Sequence, residues 1–233
     1  MFPAQMTARF ATLACSLILL LTAVAARGAA SDGGIISGRV SYKADAARPW
    51  QYGRYYIASA RDGWLAEAVV ALEGPGLPMP AVSPTTHWMD QKNFAFIPET
   101  LVIRAGDSVR FTNSDEAPHN VMTFQGPAPL NINLAQDKEH IHLFPEGKGL
   151  NQPILLTCVF HTAMRGWVFV FPHFYYVLTG KDGQFRFEKV PSGDYVLRVM
   201  HPAGELEWSR PVTVKGGAPV EISVALSPDQ KKK

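Results

Sequence analysis

Two short apolar runs, Ile154-Leu155-Leu156 and Trp167-Val168-Phe169-Val170-Phe171, flank the nine residues Cys158-Val159-Phe160-His161-Thr162-Ala163-Met164-Arg165-Gly166. Runs of this length bounded by polar and turn residues read as buried strands. The chain between them must turn back at one end of a sheet, and it does so carrying Cys158, His161 and Met164 in a C-x-x-H-x-x-M spacing. A thiol, an imidazole and a thioether are soft or borderline donors. They suit copper, whereas magnesium and calcium select oxygen. Copper electron-transfer sites take two histidines and one cysteine in a trigonal plane, with a weak, long axial methionine. The loop supplies three of these donors. The second histidine must come from elsewhere, and His119 in Asp115-Glu116-Ala117-Pro118-His119-Asn120-Val121 is the natural source. A lone cysteine is an ordinary small hydrophobe, so the reading rests on the combination.

Residues 90–171 resemble a cupredoxin, and are most similar to the amicyanin and methylamine-utilisation-type members. The resemblance is carried by Phe94-Ala95-Phe96-Ile97-Pro98, by Ala105-Gly106-Asp107-Ser108-Val109-Arg110-Phe111, by Pro118-His119-Asn120-Val121 and by residues 158–166. The short C-x-x-H-x-x-M loop is the amicyanin-like version; plastocyanin-like loops are longer. The resemblance implies that His119, Cys158, His161 and Met164 ligate one type 1 copper, and that Asn120 ties the two ligand loops together by hydrogen bonds. It reaches neither flank of the chain.

The chain has 233 residues, enough for one large or two small domains. With 19 Gly and 18 Pro among well-represented aromatics, its composition favours short strands joined by turns, an all-β chain. The formal charge is +2, and residues 1–30 hold Arg9, Arg27 and no acid, so the rest is balanced. A balanced chain has no electrostatic footprint for nucleic acid. Lys231-Lys232-Lys233 closes a short solvated tail over residues 229–233.

Residues 1–30 read as a secretory signal peptide: Arg9, an apolar run, then small residues. The alternative is an uncleaved N-terminal anchor, since the run is near spanning length. Cleavage removes Cys15 and leaves Cys158 as the last cysteine, which excludes an internal disulfide. The expectation is a periplasmic or otherwise exported protein without a membrane span after cleavage. The sequence leaves its oligomeric state open.

The flanks have a different character. Ile36, Gly38, Val40 and Tyr42 alternate as a half-buried strand, and Ala66-Glu67-Ala68-Val69-Val70-Ala71-Leu72 reads as another. Residues 43–64, with Trp50, Tyr52, Tyr55, Tyr56 and Trp64, fit an inserted hairpin, a docking surface or a packed loop. Residues 75–84 hold four prolines and form a connector. Downstream, Phe174-Tyr175-Tyr176-Val177-Leu178-Thr179 reads as a strand. Thr179, Gly183, Phe185, Phe187, Val190, Pro191, Gly193, Tyr195, Leu197 and Val199 then follow a spacing that resembles carboxypeptidase-regulatory-like, transthyretin-like β-sandwich modules. In those modules the pattern follows a G-x-V and an A-x-V-x-L strand; here these lie far upstream, as Gly38-Arg39-Val40 and Ala68-Val69-Val70-Ala71-Leu72. The expected architecture is therefore a cupredoxin Greek-key sandwich, residues 86–171, inserted into a second small sandwich made from residues 31–75 and 172–228. Two domains in sequence, joined near Pro172, are the alternative.

His140 and His142 share a strand face if their segment is extended, but no third ligand is evident; an exposed face is the simpler reading. His87, His173 and His201 have no partners in the sequence. The function expected is one-electron transfer by copper to a transient redox partner, without substrate turnover. Ala163 and the apolar residues near His161 would supply the docking patch. Copper delivery or storage, or an adhesive sandwich with an accessory copper site, are the competing functions.

Overall fold

Leu72 and Leu197, far apart in the sequence, are register partners on neighbouring strands, and this pairing organises the fold. The structure is a computed structural model, and it describes residues 33–47, 63–79 and 81–230. The signal-peptide reading of residues 1–30, most of the aromatic stretch at 43–64 and the last three lysines lie outside the described residues. The described residues belong to one compact unit.

The strands in chain order are β1 (Gly34–Tyr42), β2 (Val69–Glu73), β3 (Thr86–Lys92), β4 (Ala95–Ile97), β5 (Thr100–Arg104), β6 (Ser108–Asn113), β7 (His119–Thr123) and β8 (Leu130–Leu134). They continue as β9 (Glu139–Leu143), β10 (Ile154–Thr157), β11 (Arg165–Phe171), β12 (Tyr176–Leu178), β13 (Gln184–Val190), β14 (Gly193–His201), β15 (Leu206–Val214) and β16 (Val220–Leu226). The fold class is all-β, as the composition required.

Four sheets result, in the orders β13-β1-β16, β12-β2-β14-β15, β4-β3-β6-β9 and β5-β11-β10-β7-β8. The first two take strands from both ends of the chain. Their shared core holds Ile36, Val40, Val70, Leu72, Phe185, Phe187, Tyr195, Leu197, Ile222 and Val224. Alternation places these residues: in β16 Ile222, Val224 and Leu226 point inward while Glu221, Ser223 and Ala225 point out. Gly38 is required because β1 is squeezed between its neighbours; a Cβ there would stand 1.8 Å from the Ile222 carbonyl oxygen.

The other two sheets enclose a second core of Met89, Phe96, Ile103, Val109, Phe111, Val121, Leu156, Cys158, Met164, Val168 and Val170. β11 serves two cores. Val168 and Val170 face this one, whereas Phe169 and Phe171 pack on Val69, Ala71, Leu150 and Met200. A strand buried on both faces is apolar throughout, which is why residues 167–171 show no alternation. Phe171 also stacks on Tyr176, with centroids 4.5 Å apart and planes 12° apart. At the edge of the same junction Arg198 donates to Glu73 at 2.9 Å and to Asn151 at 2.7 Å.

Several elements differ from their expected bounds, each for a backbone reason. The strand expected at 66–72 begins only at Val69, because Glu67 adopts φ 55° and breaks the extended chain. Within the stretch from Phe94 to Pro98, β4 starts only at Ala95, since Asn93 and Phe94 have φ 53° and 58°. The strand expected over 174–179 shortens to β12, because Tyr176 N–H bonds back to the Phe174 carbonyl at 2.9 Å. Strands β15 and β16 went unread, although the alternation in Val220-Glu221-Ile222-Ser223-Val224 announces the second. Among the described residues, no helix is long and apolar enough to cross a membrane.

Candidate metal centre

Three of the chain's donor-bearing residues lie at strand ends and a fourth lies in the loop between two of them. His119 is the first residue of β7, Cys158 immediately follows β10, and Met164 immediately precedes β11, with His161 between them. β10 pairs with both β7 and β11, so one end of one sheet gathers all four. The loop is tight: Met164 N–H donates to the His161 carbonyl at 2.9 Å.

The donor atoms of His119, Cys158 and His161 lie within 4.8 Å of one another. His119 Nδ1 is 3.0 Å from His161 Nδ1, and Cys158 Sγ is 3.7 Å from His161 Nδ1. Two imidazole nitrogens aimed at each other, beside a thiol, require a proton or a cation between their lone pairs. The donor set and its convergence fit copper. His119 and Met164 are 0% exposed and Cys158 is 2% exposed. Met164 lies in the same core as Cys158.

Hydrogen bonds hold the two loops in register. Asn120 N–H donates to Cys158 Sγ at 3.3 Å, and Val159 N–H donates to Asn120 Oδ1 at 3.4 Å. Asn120 Nδ2 reaches the Ile132 carbonyl at 2.9 Å, and Gln91 Nε2 donates to the Asn120 carbonyl at 3.0 Å. The role that resemblance implied for Asn120, joining the two loops, is thus present as geometry.

Two neighbours of the centre were missed in the sequence. Asp115 Oδ2 accepts from His119 Nε2 at 2.8 Å. Burial alone would raise the Asp115 carboxyl, but the Phe94 N–H, the His119 ring and the Asn93 N–H outweigh it and hold the acid below its ordinary range. Phe94 sets its ring edge-on to His119 and His161, at centroid distances of 5.5 and 4.8 Å. The Asp-x-x-x-His spacing is the local signal by which Asp115 could have been found; nothing local points to Phe94. Around the half-buried His161 the surface is apolar, with Phe94 51%, Val159 49% and Phe160 50% exposed.

The remaining histidines are engaged elsewhere. His140 and His142 do share a face of β9, with ring centroids 6.3 Å apart, but His142 Nε2 bonds the Ala128 carbonyl at 3.1 Å. Among the described residues, the group of three or more His, Cys, Asp or Glu able to hold a metal is His119, Cys158 and His161. His87 bonds Asp107 at 3.0 Å, His173 Nδ1 accepts from Tyr175 N–H at 3.2 Å, and His201 Nδ1 accepts from Gly204 N–H at 3.1 Å.

Residues 85–181 match the family of copper binding proteins described as plastocyanin/azurin. No curated protein matches the chain. Among solved structures, a copper-containing nitrite reductase from Thermus scotoductus SA-01 aligns at 22% identity and TM-score 0.35, over 39% of this chain and 23% of that one. Amicyanin from Paracoccus versutus aligns at 22% identity and TM-score 0.32, over 36% of this chain and 80% of its own. A reduced amicyanin variant aligns at 24% identity and TM-score 0.33, over 43% of this chain and 98% of its own.

Proposed function

We propose that this protein, which carries a copper-binding cupredoxin domain matched over residues 85–181, is an exported type 1 copper protein that transfers single electrons. The observation that carries the reading is the convergence of His119 Nδ1, Cys158 Sγ and His161 Nδ1 at one end of a sheet, with Met164 buried beside them. In this reading those four side chains hold the metal. Copper held there would supply a one-electron couple, with Met164 as a weak fourth donor.

The residues themselves do the rest. Backbone and side-chain bonds of Asn120 pin both ligand loops, so the donors keep their places whichever charge the metal carries. Burial of His119, Cys158 and Met164 excludes water, and partly exposed His161 is the edge through which an electron leaves. The apolar rim of Phe94, Val159 and Phe160 suits a small, transient contact with a redox partner. Four side-chain donors leave no coordination position for a substrate, so the protein is a carrier rather than an enzyme. The signal-peptide reading of residues 1–30 supports export. We further read residues 86–171 as a domain inserted into a carboxypeptidase-regulatory-like sandwich; the pairing of β1 with β13 and β16, and of β2 with β12 and β14, supports this.

The test is the visible spectrum of the protein loaded with Cu(II). Thiolate-to-copper charge transfer gives an intense blue colour, which Cys158→Ser abolishes while the chain stays folded. A colourless wild-type copper complex overturns the reading. Release of copper upon reduction, in place of reversible cycling, would make it a delivery protein.

A further inference from the structure

We infer that the open edge between β12 and β13 is a second ligand site, a pocket that takes a small aromatic carboxylate. It lies on the sandwich built from the two ends of the chain and does not depend on the metal reading. β12 and β13 are edge strands of different sheets. A cavity of about 420 Å³ opens between them, a volume in the range of small-molecule sites. Phe174, Tyr176, Val177 and Phe187 line it, and Arg186, Glu188 and Lys189 stand at its mouth.

The aromatic walls are held by their own neighbours. Arg104 sets its guanidinium carbon 4.9 Å from the Phe174 ring centroid, and Arg104 is itself fixed by a 3.0 Å bond to Asp107 Oδ1. Tyr176 stacks on Phe171. Phe187 is buried and lies edge-on to Tyr175, with centroids 6.4 Å apart. Phe174 remains 39% exposed, so one aromatic face stays open to a ligand. A preformed cavity with such walls favours a flat apolar body that can stack or set its edge against the rings.

The mouth is shaped by an irregularity in β13. Gly34 pairs with Val190 and Ile36 with Phe187, so Glu188 and Lys189 together oppose the single residue Ile35. This β-bulge breaks the alternation: Arg186, Glu188 and Lys189 are all exposed, while Phe187 beneath them is buried. Lys189 has φ 54°, a conformation glycine adopts freely and lysine rarely. The bulge is locked from two sides. Tyr175 Oη donates to the Lys189 carbonyl at 2.9 Å, and Gly33 packs so close that a Cβ on it would stand 2.3 Å from Lys189 Cα. Backbone conformation alone favours glycine at this position; what lysine adds is its ammonium. Arg186 commits Nε to Glu188 at 2.8 Å, whereas among the described residues the Lys189 ammonium forms no ion pair. Two cations against one carboxylate leave the mouth positive and complementary to a single anionic group. The bulge and its lysine also disfavour a partner strand along the outer edge of β13, which leaves a compact ligand as the occupant.

An NMR titration of the whole protein with naphthoate, and with naphthamide as its uncharged analogue, tests this. Naphthoate should shift the resonances of Phe174, Tyr176 and Phe187, and should bind about tenfold more tightly than naphthamide, which has the same rings and no charge. Lys189→Gly suits the backbone at the bulge, so it should leave the fold intact and lower naphthoate affinity toward that of the amide. Lys181→Gln removes an equal charge from an exposed turn residue outside the pocket and should leave binding unchanged. Absence of shifts at the three rings, or equal affinity for acid and amide, would overturn the inference. So would an unchanged affinity in Lys189→Gly or an equal loss in Lys181→Gln. The comparison of acid with amide uses wild-type protein alone, so it decides the point whether or not a variant folds.

Discussion

Leu72 of β2 and Leu197 of β14 stand opposite each other on adjacent antiparallel strands, each 0% exposed, with the whole of residues 86–171 between them in the chain. Both belong to the core that also takes Val40 from β1 and Phe185 from β13. Leu72→Ala should therefore cost about 2–5 kcal/mol of stability in that sandwich, the usual range for a buried leucine truncation. Denaturant unfolding followed by tyrosine and tryptophan signals should report the loss. The blue absorption, followed in the same titration, reports the copper domain and should shift less if residues 86–171 fold as an insert. Equal shifts in both probes would argue against a separable insert.

Met164 is fully buried in the core shared with Cys158, at the foot of β11. On the proposed ligand set Met164→Leu removes a weak donor while nearly preserving volume, so packing should change little. Copper should remain bound, the colour should persist and the reduction potential should rise. Cyclic voltammetry of the variant decides the point: an unchanged potential would transfer the axial role to another group, with Met122 on β7 the first candidate.

Stability should respond to pH through two groups of opposite sign. Burial, reinforced by the nearby Glu99 charge and opposed by a hydrogen bond with Thr100, raises the Glu67 carboxyl from 4.5 to about 7. Between those values the folded chain binds more protons than the unfolded one, so the Glu67 contribution falls as pH rises. Burial lowers the His201 imidazole from 6.5 to about 4, against hydrogen bonds that raise it. There the folded chain binds fewer protons, so the His201 contribution rises with pH. The two oppose each other from pH 4.5 to 6.5. Glu67→Gln should remove the first contribution. The variant should gain stability with pH more steeply than wild type across that window, and should exceed wild type at alkaline pH. Urea midpoints measured across the range would refute this if the two profiles ran parallel.

Three side chains of the proposed site were legible in the sequence because they are local. Cys158, His161 and Met164 share one loop, and the apolar runs on either side, now β10 and β11, mark where it must turn. The flanking patterns were legible for the same reason: alternation in residues 36–42 and 185–199 is a property of each strand alone. Element boundaries were less legible. Glu67, Asn93 and Phe94 adopt positive φ without being glycine, and only contacts made elsewhere in the chain hold them there.

The amino-acid sequence by itself determined the chemical character of the centre, since donor softness belongs to the side chains and their spacing within one loop follows from chain order. It also determined that Val168 to Phe171 would be buried, because an unbroken apolar run is favoured where both faces are covered. Only the tertiary structure decided what covers each face: one core holds Val168 and Val170, while Val69, Ala71 and Met200 cover Phe169 and Phe171. It alone brought His119 within 3.0 Å of His161, set Asp115 behind it and laid Phe94 across both rings. The physical reason is that strand pairing joins residues by register rather than by separation in sequence. A carboxylate's partner is whichever N–H the neighbouring strand ends deliver to it.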